Sequence, residues 1–155
     1  MTAFVVVASA RTPHAAPPPP ASNPLVVVVG AQSPMRDISR NMLRRVYLGE
    51  VTEDHGLRLV ALNQPPGAPA RVAFDRALLG LEPEAVARFW IDQRIRGQGS
   101  APRGVPTVAL LLRVLAQLPG GLSYMRRSDV PAGASGVKVI TVDGKKPDDA
   151  GYLFP

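Results

Sequence analysis

The sequence predicts an α/β sandwich, a central sheet covered by amphipathic helices. Two observations carry that expectation. Leu25 to Val29 is a run of five apolar residues, four of them valine, closed by Gly30. Strands that read as continuous apolar runs are buried on both faces, and such strands belong to parallel or mixed sheets. From there to Val142, short apolar runs alternate with segments whose apolar residues recur at three and four. With 155 residues the chain is the size of one domain, enough to build one core and too small for two.

Taken in order, the valine run is the first strand. Asp37 to Gly49 then places Ile38, Met42, Leu43, Val46 and Tyr47 on one helical stripe, with Asp37 or Ser39 able to cap its start and Gly49 to close it. Leu57, Leu59 and Ala61 alternate with Arg58, Val60 and Leu62, the period of a second strand. The stretch from Asn63 to Pro69 (NQPPGAP) is a turn. Ala70 to Leu79 reads as a helix through Val72, Phe74, Ala77 and Leu78, ended by Gly80. Pro83 suits the first position of a third helix that carries Val86, Phe89 and Trp90 inward until Gly97 and Gly99. Val108, Leu111, Leu112, Leu115 and Leu118 give a strong amphipathic signal opening near Pro106 and Thr107 and stopped by Pro119-Gly120-Gly121. Short strands follow at Leu122 to Met125 and Val137 to Val142, the second leading into a tight turn at Asp143-Gly144.

Composition excludes several classes of function. The net charge of +6 invites a nucleic-acid reading. However, the basic residues between Arg36 and Arg127 are interleaved with Asp37, Glu50, Glu53, Asp54, Asp75 and Asp92, and few aromatics are available to stack on bases. Cysteine is absent, which removes disulfides, thiolate nucleophiles and Cys-ligated metals. No apolar run approaches the roughly 20 residues of a membrane-spanning helix, so a membrane-spanning chain is not expected. His14 and His55 have no second histidine at a metal-ligand spacing, and Ser33, Ser39 and Ser123 lack the GxSxG setting of an exposed nucleophile. No catalytic residue, metal site or cofactor is assigned. Arg71 opens its helix with Asp75 one turn later, and it serves either as an internal ion pair or as an anion grip.

Residues 1–23 are set apart as a leader plus proline-rich linker, and 24–155 as the folded domain. Phe4 to Ala10 (FVVVASA), the small residues Ala15-Ala16 and the Pro17 to Pro20 tract have the order of the end of a secretory signal without its basic start. The reading is of an exported, periplasmic protein, with a disordered leader or a first strand at Phe4 to Val7 as alternatives.

Several phrases now read together. The apolar strand ends in a loop with Ser33-Pro34, followed by SRNMLRRVYLGE (Ser39 to Glu50), a helix opening near Arg71 with Phe74, and a late helix leading into LPGGLSYM (Leu118 to Met125). VKVITVDGKKP (Val137 to Pro147) and a terminal GYLFP complete the series. In this order the chain resembles one lobe of the phosphate-type, type II periplasmic solute-binding proteins, where an "IFLG" helix follows a valine-rich strand and a "pGaIGYv" phrase precedes a strand ending in "dG". The resemblance covers about residues 24 to 155. It implies a single-lobe periplasmic-binding-protein-like sandwich, with a central mixed sheet flanked by helices whose leading ends converge on one edge. It also implies a ligand held between two lobes by helix amino termini and polar loops, a setting that favours anions. The matching positions are Ser33, Ser39, Arg71 and Ser123. The chain departs from the pattern at Gly67-Ala68-Pro69-Ala70-Arg71, where the phosphate binders carry an arginine followed by a Ser-Gly-Thr helix start.

The function expected is therefore solute binding without catalysis, with a small oxyanion such as phosphate as ligand and an ABC-transport-related setting. The alternative is a protein-protein interaction module that kept the fold and lost the ligand, docking an envelope or transporter protein. A nucleic-acid partner is disfavoured.

Overall fold

The computed structural model describes residues 23–133 and 136–154. The leader and its signal-like run, His14 and most of the proline-rich linker lie outside the described residues. Helices and strands alternate as β1 (Leu25–Gly30), β2 (Asp37–Ile38), α1 (Arg40–Tyr47), β3 (Glu53–Asp54), β4 (Leu57–Arg58), β5 (Val60–Asn63), α2 (Pro69–Leu79), α3 (Pro83–Ile95), β6 (Arg103–Gly104), α4 (Val108–Gln117), β7 (Gly121–Arg126) and β8 (Val137–Val142).

Six strands make one mixed sheet in the order β2-β8-β1-β7-β5-β6. β1 pairs antiparallel with both β7 and β8, whereas β2 runs parallel to β8, β5 to β7 and β6 to β5. The valine run is thus the central strand, opposed in direction to the other five and buried along its whole length. Its alternate side chains divide between the two faces of the sheet, so the apolar interior, expected as one core, is split into two clusters by the strand itself. Leu25, Val27 and Val29 pack with Leu43, Phe74, Leu78 and Trp90 from α1, α2 and α3, while Val26 and Val28 pack with Leu111 and Leu115 from α4. A strand with both faces covered must be apolar at every position, which is what the sequence displays.

Local chemistry sets most helix ends. Ser39 and Thr107 accept hydrogen bonds from the backbone N–H groups of Met42 and Leu110 at 3.1 and 3.2 Å, capping α1 and α4. Pro69 and Pro83 occupy first-turn positions of α2 and α3, where the missing N–H costs nothing. Gly80 ends α2 at φ 69°, in the left-handed conformation.

Asn63 and Pro69, expected in a turn, belong to β5 and α2, and beyond these the fold differs from the sequence reading most in the following respects. Asp37 and Ile38 form a strand and do not belong to the first helix. Thr141 N–H donates to the Arg36 carbonyl and Asp143 N–H to that of Ile38, both at 3.1 Å, so pairing with β8 overrides the helical stripe until Ser39. The alternating stretch from Leu57 to Leu62 is not one strand: β4 closes a small hairpin with β3, and β5 joins the main sheet. The division is enforced from a distance, because Val60 N–H donates to Gly120 O at 2.9 Å and a Cβ at Gly120 would stand 1.8 Å from the Arg58 carbonyl oxygen. Finally, β6 was not anticipated. It is two residues long and exists through its pairing with β5.

Candidate functional site

Because β2, β5 and β6 run parallel, α1, α2 and α4, which follow them, all begin at the carboxyl edge of those strands. In open α/β sheets this edge is where ligands are bound. The end of β5 organises it. β5 and β7 pair only at Val60 with Gly121 and Ala61 with Leu122. Beyond that point polar side chains bridge the two strands. Ser123 Oγ and Tyr47 Oη each donate to the Leu62 carbonyl at 2.9 Å, Gln64 Nε2 donates to the Tyr124 carbonyl at 3.1 Å, and Tyr124 Oη donates to Asn63 Oδ1. Ser123, Asn63 and Gln64 are all buried. A buried polar group costs free energy unless paired, and this seam pairs them. The rings stack beneath it, with Phe74 and Tyr124 centroids 3.7 Å apart and Phe74 and Phe154 5.1 Å apart.

The four residues expected to bind ligand do not meet. Ser33 follows the carboxyl end of β1, which runs against the other strands, so it lies at the opposite end of the sheet. It is buried there, with its hydroxyl accepting from Met35 N–H at 3.3 Å and its carbonyl accepting from Lys138 Nζ at 2.6 Å. Ser123 spends its hydroxyl within the seam. Ser39 is at the right edge, but the start of α1 is already closed by its own hydroxyl and by the Asp143 carboxylate, which accepts from Arg40 N–H at 2.9 Å. An internal anion therefore occupies the position where an external one would sit.

Arg71 lies at the remaining helix start. Ala68 provides no side-chain cap to α2 and Pro69 no N–H, so the opening of this helix is the least satisfied of the three. The Arg71 guanidinium donates to the Gln64 carbonyl at 3.0 Å and lies 3.5 Å from Asp75 one turn on. Both readings of Arg71 thus have a physical basis: it is paired with Asp75, and it also lines a cavity of about 220 Å³ with Pro66, Gly67, Asp75 and Trp90 between α2 and α3. Burial pushes the Asp75 carboxyl above the ordinary carboxylate range, and the Arg71 charge and hydrogen bond pull it back in part. Sequence reasoning missed Asn63, Gln64 and Asp143. The first two sat in a segment read only as a turn, and Asp143 caps a helix 103 residues away in the chain.

His55 is exposed and stands 3.7 Å from Asp54 in the β3–β4 turn. Among the described residues no group of three or more metal-ligating side chains gathers, and no helix is long and apolar enough to cross a membrane.

A lone central strand running against five neighbours, with helix starts gathered at the opposite strands' carboxyl ends, defines a periplasmic-binding-protein-like lobe. Solved structures agree on that fold. The chain is similar to an ABC-type phosphate transport receptor from Vibrio cholerae (TM-score 0.61, 14% identity, covering 81% of this chain and 48% of that one). It is also similar to a Clostridium perfringens protein solved with bound phosphate (TM-score 0.63, 15% identity, 81% and 47%) and to PstS from Borrelia burgdorferi (TM-score 0.59, 13% identity, 81% and 49%). The chain spans about half the length of these structures. No protein-family model matches the sequence, and neither does any curated protein. At these identities the likeness is one of fold.

Proposed function

We propose that this chain is an exported solute-binding domain that takes a small oxyanion of the phosphate class at the start of α2, acts in a transport-related setting, and carries out no catalysis. The observation that supports the reading is the uncapped α2 start beside Arg71, at the edge where three helices open. Backbone N–H groups and a guanidinium there suit an anion. The remaining half of the ligand's surroundings would come from another lobe, because the chain spans about half of the receptors that it resembles.

Asp75 gives the proposal a pH signature. Its ionised carboxylate competes for Arg71 and repels an anion, and burial makes it take up a proton at higher pH than a free carboxyl does. Sulfate, whose own charge does not change as Asp75 takes up its proton, should therefore bind more tightly as pH is lowered through the Asp75 titration. Thermal unfolding of the full chain against phosphate and sulfate, with chloride at matched ionic strength, tests the reading. At a hundredfold excess over the dissociation constant the unfolding midpoint should rise by roughly 5–10 °C, and Arg71→Gln should abolish the rise. A flat response to every oxyanion, or an Arg71→Gln protein that responds as the wild type does, would overturn it.

A further inference from the structure

A second cavity, of about 610 Å³, opens over β8. Its floor is the sheet face that α4 covers only in part: Val26 belongs to the α4 core, and Val139, opposite Val28 in the β1–β8 ladder, is left 38% exposed. Val139 is the one large apolar residue of the main sheet exposed to this degree among the described residues. Three cations stand around this floor: Arg36 before β2, Arg127 after β7 and Lys146 after β8. The carboxylate that also lines it, Asp148, is held through both oxygens by a single terminal nitrogen of Arg127 at 2.7 Å. The side chains of Arg36 and Lys146 make no hydrogen bond or ion pair with another described residue.

We infer that this groove binds a small amphipathic carboxylate, with a hydrocarbon or aromatic body against Val139 and Val130 and the carboxylate between Arg36 and Lys146. The volume is in the range of small-molecule sites, ~300–1,000 Å³. An inorganic anion would leave Val139 hydrated, and a neutral hydrocarbon would give the cations no partner. A ligand carrying both groups satisfies each surface. The inference does not depend on the oxyanion reading, since the groove shares no lining residue with the cavity at the α2 start.

Isothermal titration of the full chain with straight-chain monocarboxylates of about six to ten carbons, below their micellar concentrations, provides the test. Affinity should rise roughly fourfold per methylene, and the matched alcohols should bind at least about tenfold more weakly, as expected for loss of a charge-assisted contact. The Arg36→Gln/Lys146→Gln double variant changes only exposed side chains. It should lose at least about tenfold in carboxylate affinity while keeping its response to sulfate. Val139→Asp should remove binding, and backbone amide shifts on titration should cluster at Val139, Thr141 and Arg127. Equal binding of acids and alcohols, wild-type affinity in the double variant, or displacement by inorganic phosphate would each overturn the inference. Failure of the sulfate response alone would count against the oxyanion site and leave this one standing.

Discussion

At the scale of single residues, most hydroxyls among the described residues are engaged in hydrogen bonds that hold the fold together. Ser39 is the clearest. Its side chain satisfies Met42 N–H while Asp143 satisfies Arg40 N–H, so Ser39→Ala should cost about 1 kcal/mol of stability and leave oxyanion binding unchanged. Denaturant midpoints with and without sulfate check both halves. The tyrosines make a second residue-scale case. All three are buried, and burial raises each phenol: Tyr47 and Tyr124 well above the ordinary value, and Tyr152 to about 12. The Tyr152 hydroxyl has no well-formed hydrogen bond among the described residues, so the nearby Val27 backbone offsets little of its burial. A phenol whose folded pKa exceeds its unfolded value binds its proton more tightly when folded. Its contribution is therefore intact below about pH 10 and lost as pH rises through the folded value. Tyrosinate absorbance should accordingly stay flat past pH ~10 and then appear together with loss of circular dichroism. A smooth titration near 10 in the folded protein would contradict the buried seam. The sequence offered Ser39 both as a cap and as a ligand residue without deciding between them, because a serine that caps and a serine that binds look alike until the partner is known.

At the scale of elements, legibility follows how local the determinants are. α2, α3 and α4 could be read because Pro69, Gly80, Pro83 and Thr107 mark their ends within the segment itself. β1 could be read because burial on both faces leaves an unbroken apolar run. β2 and β6, two residues each, have no periodicity to detect and are formed by main-chain pairing with β8 and β5. The break between β4 and β5 is set by Gly120, more than fifty residues later in the chain. Close approach also fixes how α4 sits on the sheet. A Cβ at Gly30 would lie 2.3 Å from the Leu115 carbonyl oxygen, so Gly30→Ala must push the helix away from β1. Overpacking of this kind costs about 1–3 kcal/mol. Chemical denaturation should show that loss without a change in secondary-structure content. An unaltered midpoint would mean that α4 is less closely seated than described.

At the scale of the whole molecule, the architecture was more legible in the sequence than the geometry of the candidate site. The alternation of elements specified a covered sheet, and covered sheets place helix starts at one edge; the order of phrases pointed to the receptor lobe that the solved structures share. The site was less legible because it depends on which helix start is left unsatisfied. That is decided by Asp143 reaching the start of α1, while among the described residues Ala68 gives α2 no side-chain cap.

The two flanks of the sheet impose a further constraint. The outermost strands, β2 and β6, present two residues each, too little exposed ladder to recruit another chain by strand addition. On the reading proposed above, a second lobe would therefore meet the described residues across the strand tips, through side chains and loops. An assembly so built can separate and rejoin without tearing a sheet, which is the mechanical requirement for a jaw that opens.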